Sequence, residues 1–94
     1  MKAKRESDAK NLEDIPNVGK AVAEDLRNIG IKRPDQLKGK NGIKLYQKLN
    51  QVSGVQHDPC MADTFMAAVD FMNGGKAQAW WNFTAQRKVL LKKN

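Results

Sequence analysis

Apolar residues recur along this chain at helical spacing, and nowhere do they alternate with the period of two that a half-buried strand requires. Leu12 and Ile15 stand three apart, as on a short helix, and Pro16 bars its continuation. From Gly19 to Asn28 the positions Val22, Ala23, Leu26 and Ile29 mark the face of a second helix. Gly30 is its expected left-handed stop, with Ile31 folding back over the last turn. Pro34, Asp35, Gln36 and Leu37 predict a short helix closed at Gly39. Asn41 then caps a helix with Leu45, Leu49 and Val52 facing inward, ended at Gly54. Asp58 followed by Pro59 starts the most apolar segment, which runs to about Met72 and leaves Asp63 and Asp70 on one polar stripe. After Gly74 and Gly75, residues Ala77 to Leu91 read as a last helix with Trp80, Phe83 and Leu90 inward. The prediction is an all-α domain of about five short helices over residues 11–92. Residues 1–10 are almost devoid of apolar side chains and read as a flexible arm or a frayed helix.

Charge adds a partner to this picture. Ninety-four residues fit a single core, and 17 Lys and Arg against 10 Asp and Glu leave a net charge of +7, which favours polyanionic partners. The excess is concentrated. Lys32, Arg33, Lys38, Lys40, Lys44 and Lys48 are opposed within their stretch only by Asp35, and Arg87, Lys88, Lys92 and Lys93 form a second cluster. No apolar run is long enough to span a bilayer, MKAKRESDAK lacks the apolar segment of a signal peptide, and the single Cys60 suits a reducing compartment, so a cytoplasmic protein without membrane contact is expected.

The segment from Leu12 to Leu26 resembles the helix-hairpin-helix motif of DNA repair and recombination proteins: an apolar pair (Leu12, Ile15), a turn (Asn17-Val18-Gly19), then a helix with small and apolar positions (Ala23, Leu26). Such a hairpin ends where its second helix begins. Unpaired amides near Gly19, Lys20 and Ala21 then point outward with the positive end of the helix dipole, a seat for phosphate. Val18 tucks inward to pin the turn, and Lys20 adds charge at the rim. The usual first glycine of the turn is Asn17 here, which tolerates a left-handed backbone but carries a side chain that can hinder close contact. Candidate binding residues are therefore Asn17, Val18, Gly19, Lys20 and Ala21, extended by Lys32, Arg33, Lys38 and Lys40. Backbone donors see phosphate rather than base edges, so binding should be indifferent to sequence.

Across residues 10–85 the order of the hairpin, Gly30-Ile31, Asp35-Gln36-Leu37-Lys38-Gly39-Lys40, Leu45-Tyr46, His57-Asp58-Pro59-Cys60 and Trp80-Trp81 resembles the small bacterial pathogenicity-locus family, some members of which are labelled mitomycin-resistance proteins. A more distant likeness is to the C-terminal domain of the TfoX competence regulators. The resemblance implies a helix-hairpin-helix (SAM-like) fold and a connection to DNA repair or damage resistance.

Other chemistry is sparse. Cys60, in the first turn of its helix, reads as a core residue, with a dipole-activated thiolate as the alternative. His57 and Cys60 are spaced as two metal ligands but lack the further two that zinc requires, so no metal or cofactor is expected. Trp80 reads as core and Trp81 as its edge or as a stacking surface for bases, with Arg87 and Lys88 following to meet phosphates. One histidine, no nucleophile elbow and no convergent acids predict no enzyme. The functional expectation is a DNA-binding module that grips the backbone of duplex or single strands. Its alternative is a protein-interaction module built on the same fold.

Overall fold

A computed structural model describes residues 2–92; Lys93 of the C-terminal basic cluster lies outside them. Four α-helices, α1 (Lys20–Asn28), α2 (Gly42–Ser53), α3 (Cys60–Met72) and α4 (Thr84–Lys92), are joined by 3-10 turns at Glu6–Asp8, Leu12–Asp14, Pro34–Leu37 and Trp80–Phe83. No strand occurs among the described residues. The protein is all-α, as its pattern predicts.

The apolar helix α3 is the centre on which α2, α4 and the turns Pro34–Leu37 and Trp80–Phe83 pack, whereas α1 packs on α2 and on the turn Leu12–Asp14. Phe65 and Phe71 are buried in it, each contributing roughly 2–3 kcal/mol by leaving water. Its start follows from Asp58, whose Oδ1 accepts the Cys60 N–H at 2.8 Å while Pro59 already has helical dihedrals. Helix α2 crosses α3 at Gly42, where a β-carbon would stand 2.7 Å from the Met66 backbone. Ile43, Leu45, Tyr46 and Leu49 complete its buried face.

The chain from Lys10 to Ala23 and the chain from Lys32 to Leu45 share one hydrogen-bond scheme, displaced by 22 residues. Asp14 accepts the Lys10 and Asn11 N–H groups at 2.9 Å each. Gln36 accepts those of Lys32 and Arg33 at 2.5 and 2.9 Å. The turn bonds Asp14 N–H to Asn11 C=O and Val18 N–H to Ile15 C=O return as Gln36 to Arg33 and Lys40 to Leu37. The first helical bonds, Ala23 to Gly19 and Leu45 to Asn41, correspond as well. The left-handed residue of the first copy is Asn17 (φ 73°) and of the second Gly39 (φ 74°), the two residue types that enter this region at least cost. The fold thus contains two successive turn-and-helix units, α1 closing the first and α2 the second.

Several expectations are corrected. The short helix at Leu12–Ile15 is a single 3-10 turn. Val52 lies outside the core, 57% exposed, because the inner face of α2 is completed by Ile43 and Tyr46 instead. Asp63 does not share an outer stripe with Asp70: it is fully buried, matched by two donors from the last helical segment. That segment does not begin at Ala77. The Gln78 carbonyl is taken by the side chain of Asn17, Ala79 is extended, and regular helix starts only at Thr84. Residues 2–10, expected to be a flexible arm, are laid against the first unit: the Ala3 N–H bonds the Asp14 carbonyl at 2.7 Å, and Ala3 and Ala9 pack on the core.

Candidate nucleic-acid interface

The start of α1 is built from the turn upward. Ile15 and Val18 are fully buried and anchor the two sides of the hairpin. Between them Asn17 holds the left-handed turn, and its Nδ2 donates to the Gln78 carbonyl at 2.7 Å, so the amide is engaged by the segment that leads into Trp80. Gly19 follows as the residue that caps α1 by position, with extended dihedrals (φ −87°, ψ −173°) and no side-chain bond to the helix. The Ala23 N–H is the first to bond back, to the Gly19 carbonyl. The amides of Lys20, Ala21 and Val22 therefore have no intrahelical acceptor, and Lys20 and Ala21 are exposed.

Glycine at position 19 is not required by the fold. Its φ is ordinary for any residue, and a β-carbon there would meet no atom within 4 Å. The second unit shows the alternative: Asn41 holds the equivalent position, and its Oδ1 accepts from Ile43 and Lys44 at 2.9 and 3.1 Å. The start of α2 is satisfied internally, whereas the start of α1 presents bare amides beside open space.

Charge gathers at this turn from two directions. Lys20 opens the helix, and Lys2 is carried to the hairpin by the N-terminal segment, its Nζ donating to the carbonyls of Glu13, at 2.7 Å, and of Val18. Sequence reasoning missed Lys2, since nothing local pairs residue 2 with residue 18. Glu13 is the nearby acid. Its carboxylate is bound by Arg27 at 2.9 Å, which holds its pKa below the ordinary value.

The other basic candidates divide. Lys32 donates to the Arg27 carbonyl at 3.2 Å at the C-terminal end of α1, and Arg33 pairs with Asp35 at 3.2 Å. Lys38 is exposed. Lys40 joins Lys44 and Lys48, one turn apart on α2, in a groove with Ile29, Gly30 and Ile31. These lysines make no ion pair among the described residues, although like charges four apart on a helix repel. The groove sits at the far end of α1 from Lys20, about 13 Å away over nine residues at 1.5 Å each. The basic candidates thus fall into two groups, the bare amides with Lys2 and Lys20 at the start of α1, and Lys40, Lys44 and Lys48 in the groove beside its end.

Arg87, expected to meet phosphates, is turned inward instead. Its Nε lies 2.7 Å from Asp63 Oδ1, and Thr84 Oγ1 donates to Asp63 Oδ2 at 2.7 Å. This pair raises the Arg87 pKa further. Cys60 is half-buried, and its thiol pKa is pushed up by the hydrogen bond to Asp58 and by burial, the reverse of an activated thiolate. The His57 N–H and Nδ1 both meet Asn50 Oδ1 at 2.9 Å, which assigns the Nδ1 proton to that bond. Among the described residues no three His, Cys, Asp or Glu side chains converge as metal ligands, and no helix is long and apolar enough to cross a membrane.

A family model described as "Pathogenicity locus" matches residues 5–89. A mitomycin resistance protein McrB of Streptomyces lavendulae is 40% identical over 85 residues, 90% of this chain and 81% of that protein. No solved structure matches.

Proposed function

Because this chain belongs to the pathogenicity-locus family, we propose that it is a DNA-binding module, with the hairpin of residues 12–31 acting as a helix-hairpin-helix unit that seats a backbone phosphate on the amides of Lys20 and Ala21. The observation that carries this reading is the bare start of α1: a glycine the fold does not require, beside open space, where the second unit of the same chain has a capping asparagine. Lys2 and Lys20 supply countercharge, and the row Lys40, Lys44 and Lys48 extends it. Backbone amides and ammonium groups recognise phosphate, so binding is indifferent to base sequence and steeply weakened by salt. Its role is binding rather than catalysis. The name of the Streptomyces relative extends the proposal to mitomycin resistance, by occupation of the DNA backbone.

Fluorescence anisotropy with unrelated duplexes over a salt series tests the proposal. The decisive variant is Gly19→Asn, which transplants the cap of α2 onto α1. It is expected to stabilise the fold by about 0.5 kcal/mol while lowering DNA affinity about tenfold, because the new side chain takes the amides that phosphate would use. Lys20→Glu should weaken binding further. Absence of binding at low salt, or affinity unchanged by both variants, overturns the proposal. In a host sensitised to mitomycin, expression of the wild-type chain should raise survival and Gly19→Asn should remove the gain.

A further inference from the structure

The bond from Asn17 to Gln78 joins the hairpin turn to a segment distant in sequence, and three residues beyond Gln78 stands Trp81, 63% exposed. Three residues of chain reach at most about 11 Å, so the Trp81 backbone stands within that reach of the Gln78 carbonyl that Asn17 holds. Its neighbour Trp80 is half-buried and meets it edge to face, ring centroids 5.6 Å apart at 82°, which restrains the exposed ring. A large aromatic surface in water is costly unless something covers it.

The surroundings select the occupant. After Asp70 the sequence contains no further Asp or Glu, and Lys76, Lys88 and Lys92 are exposed on the segment that carries Trp81. Lys88 and Lys92 stand four apart and exposed on α4, the helix that follows the turn carrying Trp81, so the chain around the ring is basic and holds no acid. An aromatic plane next to ammonium groups is the chemistry of single-strand binding, in which bases stack while phosphates are neutralised.

We propose that Trp81 stacks on an unpaired base, so that the nucleic acid this protein prefers has a single-stranded segment, such as a frayed end or a gap, leaving the phosphate seat of α1. This rests on the proposed backbone binding and adds to it a substrate class. Duplex DNA keeps its bases stacked on one another and engages only the hairpin and lysines; an unpaired strand gains the indole as well.

The test compares a labelled 15-nucleotide single strand with a blunt duplex of the same length, against wild type, Trp81→Ala and Trp81→Phe. Wild type should bind the single strand more tightly, with tryptophan emission quenched on binding. Trp81→Ala should weaken single-strand binding roughly five- to hundredfold, leave duplex binding within twofold, and be largely rescued by Trp81→Phe. Unchanged single-strand affinity in Trp81→Ala, or an equal loss on both ligands, overturns the stacking role while leaving backbone binding intact. So does loss of a defined protein partner by Trp81→Ala with both nucleic-acid affinities preserved. Failure of wild type to bind either ligand at low salt overturns the backbone reading, and this inference falls with it. Circular dichroism of both variants, expected to match wild type because the ring is exposed, separates lost contact from lost fold.

Discussion

Arg87 and Lys88 are adjacent cations in a basic run, yet they do opposite things. The Arg87 side chain is 12% exposed and bonded to the wholly buried Asp63, whereas Lys88 is in water. Thr84 satisfies the second carboxylate oxygen, so Asp63 is fully matched only while Arg87 is present. Truncating one partner of a buried pair leaves a charge without compensation. Arg87→Ala should therefore cost about 3 kcal/mol in urea unfolding, while Lys88→Ala should stay within about 0.5 kcal/mol. Equal effects would mean that the pair does not hold α4 against α3. This interaction was illegible in sequence, because 24 residues separate its members and no periodicity links them. Read locally, Asp63 belongs to a polar stripe and Arg87 to a phosphate surface. By contrast, the caps at Asn41 and Asp58 were legible, since a cap acts within three residues of itself.

At the scale of elements, the two turn-and-helix units explain both what was readable and what was hidden. The stop of α1 follows from Gly30 and the start of α3 from Asp58 and Pro59, whose effects are local. The 22-residue repeat is invisible to residue matching because the copies perform the same bond with different side chains: Asp14 against Gln36, Asn17 against Gly39, Gly19 against Asn41. That equivalence makes a prediction. Asp14 has its pKa lowered by the N–H groups of Asn11 and Lys10, so its contribution to stability is present above the unfolded carboxylate value of 3.8 and disappears as pH falls through the lower folded value. Gln36 does the same work uncharged. Asp14→Gln should fold, be somewhat less stable than wild type at pH 7, and close that gap progressively as pH is lowered below 3.8 in thermal melts. A gap independent of pH would contradict the assigned bonds. The contact of α2 with α3 gives a second test. Gly42→Ala drives a methyl group to within 2.7 Å of the Met66 backbone, and neither helix axis can yield freely, so a loss of about 2–3 kcal/mol is expected in the same melts.

For the whole molecule, the question is how the proposed DNA partner would meet the basic groups that the fold distributes along the chain. The lysines from 32 to 48 read as a single block because they are close in sequence. The chain path instead sends Lys32 to the C-terminal carbonyls of α1, pairs Arg33 with Asp35, and lines Lys40, Lys44 and Lys48 along one groove. It also brings Lys2 back to the turn at Val18. Helix α1 is about 13 Å long, with the bare amides at its start and the groove beside its end. If the proposed duplex engages both groups, each contributes to its salt dependence. Each neutralised phosphate adds about 0.9 to the slope of log affinity against log salt. Lys20→Ala should thus reduce that slope by about one, and the double replacement of Lys44 and Lys48 by Ala by about two, with the two reductions adding when combined. Anisotropy at four or more KCl concentrations measures all three. A slope that falls with Lys20→Ala but ignores Lys44 and Lys48 would confine the duplex to the hairpin and leave the groove to other anions. A slope that responds only to the groove would move the proposed seat from α1 to α2.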